Sequence, residues 1–255
     1  FSRAVASQQD AGVTVGLETV VEGLGFPTQM AFLPDGSRLV AERRGEVHRH
    51  TDDGLAGEPF LALGDRLDGT EGEKGLVGMA LHPEFERNRR LFLRYSAPST
   101  DDDQSHVAAL SEFRAREDMT GVVAGSERRL LEAPQPGPVH NAGALAFDEN
   151  GHLYVALGDG QRTDIGEENG LWWYQQGGAA QDVQSNLRGG ILRIDVDDAE
   201  GDRAYGIPSE NPLVGRDGRD EFYAWGLRNP YRISTDEGRL FIGDVGEHIR
   251  ESVYL

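Results

Sequence analysis

PVHNAGALAFDENGHLYVALGDG, residues 138–160, reads as a polar tip, a short alternating strand, an Asn150-Gly151 turn, a second strand and a Gly-Asp-Gly exit. A hairpin returns its two ends to one place. His140, ahead of the first strand, and Asp159, behind the second, are therefore expected as neighbours. A carboxylate on one imidazole nitrogen fixes the tautomer and raises the basicity of the other. The same geometry suits two polar loop ends with no chemistry, and the pattern leaves both readings open.

Three more stretches share this grammar: MAFLPDGSRLVAERRG (30–45), MALHPEFERNRRLFLRYS (79–96) and RISTDEGRLFIGDVG (232–246). Each reads as a tight hairpin. Further strands are expected over 45–50, 106–116, 128–131, 190–196 and 221–226, and no stretch carries helical periodicity of useful length. A hairpin followed by one or two strands, repeated, is the unit of a β-propeller blade. The fold class is thus all-β, with 1–255 a single propeller domain of about four blades. Repeat steps lengthen along the chain: 49 residues from Phe32 to Leu81, 66 from Leu81 to Phe147, and 87 from Phe147 to Ser234. The excess reads as functional loops, the longest spanning 161–188 and including GLWWYQQGG. Four hairpins do not close a ring comfortably, and ESVYL (251–255) ends inside a strand pattern, so later blades are expected beyond residue 255.

Acidic residues number 44 against 25 basic, a net charge of −19, and only Lys74 is a lysine. The acids are spread along the chain, as in proteins adapted to high salt. Nucleic acid and anionic membrane surfaces are poor partners for such a surface. No run approaches the roughly 18 apolar residues of a membrane span. There is no cysteine, hence no disulfide or thiolate site. Ala4-Val5-Ala6 resembles the small-residue end of an export signal, which points to a secreted or cell-surface location.

Other chemistry-bearing patterns are thin. His48 and His50 sit on an Arg-rich strand and are expected to face solvent; His82 and His106 read as structural or exposed. No histidine pair has zinc spacing, no G-x-S-x-G elbow is present, and the acidic run from Asp195 departs from a calcium loop at Ala199 and Glu200. Arg228 and Asn229 precede a strand-opening proline in GLRNPYRIS. They offer a two-pronged cation and a donor–acceptor amide, or merely cap a turn between blades. In GDVGEHIRES, the Gly246-Glu247 peptide has carbonyls that suit a hard cation.

Taken in order, six stretches resemble the glucose/sorbosone dehydrogenase family. They are GFPTQMAFLPDGSRLVAERRGEV, GEKGLVGMALHPEF, HNAGALAFDENGHLYVALGDG, QDVQSNLRGGILRIDV, YGIPSENPLVG and GLRNPYRIS with GDVGEHIRES. The resemblance implies a six-bladed propeller with pyrroloquinoline quinone (PQQ) and calcium on its top face. It implies that His140 is the general base, oriented by Asp159, and that Arg228 and Asn229 contact PQQ. It places Glu73 at the cofactor and the carbonyls of Gly246 and Glu247 on calcium. The implied reaction oxidises an aldose at C1 to a lactone: His140 takes the anomeric hydroxyl proton, hydride passes to the quinone, and electrons go on to an external acceptor. Trp172, Trp173 and Tyr174 serve either as a sugar platform or as a loop anchor. The alternatives are a six-bladed lactonase-like metal-dependent hydrolase and a non-enzymatic carbohydrate- or protein-binding propeller.

The charge carries its own test. Self-repulsion of a net −19 falls as salt screens it, so the melting temperature should climb between about 0.1 and about 2 M KCl by calorimetry. A melting temperature that ignores salt would remove the high-salt reading.

Overall fold

Period-two alternation becomes sixteen strands in four antiparallel sheets in a computed structural model that describes residues 16–160, 182–246 and 251–255. The first sheet holds β1 (Pro27–Phe32), β2 (Arg38–Glu42), β3 (Glu46–Thr51) and β4 (Gly54–Leu55), with β5 (Leu61–Ala62) also paired to β3. The second runs β6 (Leu76–Leu81), β7 (Arg90–Ala97), β8 (His106–Arg114) and β9 (Arg128–Gln135). The third runs β10 (Leu145–Phe147), β11 (His152–Leu157), β12 (Gly190–Asp195) and β13 (Phe222–Trp225). The fourth has β14 (Pro230–Asp236), β15 (Arg239–Asp244) and β16 (Ser252–Tyr254). Each sheet is a meander in sequence order, and together they form four consecutive blades of a β-propeller.

The core lies between blades. Leu39, Val47, Met79, Leu91, Leu93 and Tyr95 fill the seam of blades one and two. Phe92, Leu110, Leu153, Val155, Leu192 and Phe222 fill the next, and Ala144, Tyr154, Ile191, Leu227 and Leu240 the third. Along β7, odd residues face blade one while Phe92 faces blade three. Along β11, Leu153, Val155 and Leu157 face one seam and Tyr154 and Ala156 the other. A one-residue slip would exchange those faces, so packing on both sides pins the register. Each fully buried Leu or Phe contributes about 1.5–3 kcal/mol.

Polar ties finish the seam of blades two and three. At its rim, Arg90 and Arg128 both pair with Glu112, at 3.0 and 2.7 Å, and both donate to the Val196 carbonyl of the next blade. Burial pushes the Glu112 carboxyl up, but the hydrogen bonds and charges of the two arginines outweigh it and hold the group below its usual range. At the opposite end, Arg94, His106, Gln135 and Asn141 are wholly buried.

The four hairpins form where the alternation places them, with one difference. Residues 79–96 do not make a tight turn. A short helix, α1 (Phe85–Asn88), intervenes because Phe85 drops into the core and Arg89 closes the turn at φ +57°. β9 extends to Gln135, past the expected end at 131. The solvent-facing expectation for His48 and His50 is overturned. His50 is buried against Arg38 (3.3 Å), while His48 is half-buried over Glu46 (3.3 Å); with Arg38 and Val40 they share the face of the first sheet turned away from blade two. His82 and His106 are both buried and structural.

Two outcomes follow from the second seam. Phe92, which meets Phe147 edge-on at 5.4 Å, should cost about 3–5 kcal/mol as Phe92→Ala in urea melts. Burial, reinforced by the charges of Arg94 and Lys74, pushes His106 down to about 3. The unfolded chain therefore takes up a proton below its ordinary value that the folded chain refuses. Stability is full above that value and drains away as pH falls. The wild type should lose on the order of 2 kcal/mol between pH 7 and pH 5 that His106→Gln does not lose.

Candidate active site

Strand parity gathers the site. In an up-and-down meander, the link from second to third strand and the link to the next blade emerge on one rim. Glu73 sits on the β5–β6 link, His140 on β9–β10, Asp159 on β11–β12, Arg228 and Asn229 on β13–β14, and Gly246 on β15–β16. Six of the seven residues expected to act therefore share a rim; Glu247 lies outside the described residues, as do Trp172, Trp173 and Tyr174.

His140 is buried, and its Nδ1 lies 2.7 Å from Asp159 Oδ1. With Asp159 ionised, Nδ1 carries the proton and donates, which leaves the Nε2 lone pair as the proton acceptor. Asp159 is tied onward: its N–H donates to the Arg228 carbonyl at 2.8 Å. Gly158 makes the approach possible, since a Cβ there would fall 1.9 Å from the His140 carbonyl oxygen.

The loop carrying His140 is under backbone strain. His140 and Ala142 are left-handed, at φ +56° and +49°, and Gly143 follows at +120°. Non-glycine residues in that region cost of order 1–3 kcal/mol each and persist only where surroundings hold them. Here three neighbours do so. The Asn141 N–H donates to Glu73 Oε2 (3.1 Å), the Ala142 N–H donates to Asn229 Oδ1 (2.9 Å), and Arg94 Nη2 donates to the Asn141 carbonyl (2.9 Å). Glu73 and Asn229 are themselves bonded, with Asn229 Nδ2 3.1 and 3.3 Å from the two carboxylate oxygens.

Arg228 and Asn229 are held from below by Asp244, which accepts both backbone N–H groups at 3.2 and 2.7 Å. Arg228 Nη1 donates to the Val245 carbonyl at 2.9 Å, and the Gly246 N–H donates to Glu251 at 3.1 Å. Next to Glu73, the buried ammonium of Lys74 pairs with Asp68 and Glu71. Burial alone would lower its pKa, but those two carboxylates raise it above the ordinary lysine value.

Two functional contributors were not singled out from the sequence. Asp244 lies inside GDVG, where the glycines drew attention instead. Arg94 is the one charge in LFLRYS, a strand core otherwise made for burial, and that anomaly was its signal. Among the described residues, Glu42, Glu46 and His48 are the one carboxylate–histidine group close enough to hold a metal. They flank the β2–β3 link of blade one, and Arg44 and the Gly25 N–H already occupy the Glu42 oxygens.

The family model for glucose/sorbosone dehydrogenase matches residues 24–253. The aldose sugar dehydrogenase YliI of Escherichia coli (strain K12) is 30% identical over 231 residues, covering 89% of this chain and 54% of that protein. The mouse Hedgehog-interacting protein is 30% identical over 233 residues, covering 86% of this chain and 31% of that protein. The PQQ-bound aldose sugar dehydrogenase of Streptomyces coelicolor shares the fold, with TM-score 0.69 and 23% identity over 93% of this chain and 61% of its own. This chain thus spans between 31% and 61% of these proteins' lengths. With residues 24–253 matched by one family model and a 30%-identical relative covering 89% of it, the chain belongs to the glucose/sorbosone dehydrogenase family.

Proposed function

We propose that this rim is the catalytic end of a PQQ- and calcium-dependent sugar dehydrogenase that oxidises aldoses at C1 to lactones. The observation that carries the reading is the buried His140 imidazole, fixed by Asp159 at 2.7 Å and linked through the Asp159 backbone to Arg228. A proton acceptor with an orienting carboxylate, on the same rim as an arginine, is the set of groups that an anionic quinone and a sugar hydroxyl require. Within the family, the Streptomyces coelicolor neighbour with PQQ bound supports the same cofactor here.

When bound, PQQ would supply the two-electron acceptor and calcium the Lewis acid. The chain's own residues do the rest. Asp159 keeps the proton on Nδ1, so Nε2 of His140 receives the proton of the anomeric hydroxyl. Arg228 is the candidate to hold anionic oxygens. Glu73 and Asn229 border the cofactor and lock the His140 loop. The main-chain carbonyls of Gly246 and Glu247 are the proposed calcium seat. Electrons leave to an external acceptor, and the proposed location is extracytoplasmic.

The similarity to Hedgehog-interacting protein, at the same 30% identity, favours one second reading: a propeller that binds rather than turns over. Dye-linked sugar oxidation by the full-length gene product, with PQQ and calcium in high salt, separates the two. The wild type should turn over. His140→Ala should lower kcat by roughly a thousand-fold, and Asp159→Asn by roughly 10- to 100-fold, while both still bind PQQ by absorbance titration. PQQ binding without turnover of any aldose would favour the binding propeller. Lactone hydrolysis without a PQQ response would favour a hydrolase.

A further inference from the structure

Arg94 heads the fully buried side chains by volume, and it is a cation. It sits in the middle of β7, on the face turned toward blade three, with Phe92 and Ser96 as same-face neighbours along the strand. No carboxylate pairs with it among the described residues, and burial alone brings its pKa down to about 9. It is therefore a guanidinium held, still charged at neutral pH, among apolar side chains and the uncharged polar groups Ser96, Gln135 and Asn141. Burying a charge without a counter-charge is costly, so apolar packing does not account for its presence.

What Arg94 touches gives the reason. Its Nη2 donates to the Asn141 carbonyl at 2.9 Å, while Nε and Nη1 find no hydrogen-bond partner among the described residues. That carbonyl belongs to the second of two peptide units that follow His140. All four polar groups of those units are engaged. The His140 carbonyl accepts from the Gly160 N–H at 3.3 Å, and the Asn141 N–H donates to Glu73. The Asn141 carbonyl accepts from Arg94, and the Ala142 N–H donates to Asn229. The flanking residues, His140 and Ala142, are the two left-handed ones. One side of this clamp is anionic, at Glu73, and the other is cationic, at Arg94. A charge-assisted bond in a dry seam is both strong and directional.

We propose that Arg94 is a positioning residue for His140: by clamping the Asn141 carbonyl, it holds the strained loop in the one conformation that sets Nδ1 on Asp159. The inference rests on the reading of His140 as the proton acceptor. Arg94 acts through the main chain and touches neither sugar nor cofactor.

The test uses Arg94→Met and Arg94→Lys in the full-length protein, with two readouts. The first is the His140 tautomer by ¹⁵N NMR of histidine-labelled protein, which needs no turnover. The wild type should show Nδ1 protonated; Arg94→Met should show a mixture of tautomers, and Arg94→Lys an intermediate state. The second is dye-linked sugar oxidation. In Arg94→Met kcat should fall roughly 10- to 100-fold, with KM and the PQQ titration moved less than about three-fold. A wild-type tautomer and kcat in Arg94→Met, with a changed melting temperature alone, would reduce Arg94 to a structural residue and overturn the proposal. Should Arg94→Met not fold, Arg94→Lys decides by the same readouts, and a wild-type result in both overturns it. If the wild type oxidises no sugar yet its His140 tautomer shifts in Arg94→Met, the dehydrogenase reading fails while the positioning role stands.

Discussion

Blades two and three of this protein bury both of their faces, and that demand organises all the rest. β7 sends Leu91, Leu93 and Tyr95 one way and Phe92 the other; β11 divides Leu153 and Val155 from Tyr154 and Ala156 in the same manner. A sheet packed on two sides tolerates neither slip nor tilt, because either would trade one apolar face for the other. Rigid seams then place every inter-blade link on one rim. The site is assembled from those links, so residues far apart in the chain meet at fixed distances.

Against that apolar rule, the polar insertions of the second seam mark where packing is subordinate to position. At one end Glu112 gathers two arginines and ties blade two to blade three. At the other, Arg94 and His106 are buried with little compensation, directly behind the loop that presents His140. The left-handed residues of that loop are the counterpart. The backbone holds a costly conformation, and charged or amide groups from three blades hold it there. Glu73 and Asn229, read from sequence as neighbours of a cofactor, turn out to be bound to each other and to the loop. Rigidity of His140, the proposed proton acceptor, is thus supplied by the same residues that border the proposed cofactor.

The propeller itself does not decide between catalysis and binding, since the family model covers a chain as similar to a Hedgehog-interacting protein as to an aldose sugar dehydrogenase. Function has to be argued from the rim. There, an imidazole is bonded to its carboxylate, and the backbone of that Asp159 is bonded in turn to the backbone of Arg228. A binding surface has no need of a proton acceptor whose tautomer is fixed.

The amino-acid sequence by itself determined the strands and the hairpins, because period-two alternation and Asn-Gly or Asp-Gly turns are local properties. It also determined the His140–Asp159 pairing, since these residues close a single hairpin and lie only 19 apart. It misjudged His50, because its cross-strand partners, Arg38 and Leu55, are set by the register of the sheet and not by β3 alone. Contacts spanning blades were decided by the tertiary structure alone: Glu73 with Asn229 across 156 residues, Arg94 with Asn141 across 47, and Asp244 beneath Arg228 and Asn229. No local pattern encodes these, for they exist only once the apolar seams have closed and brought separate links to one rim.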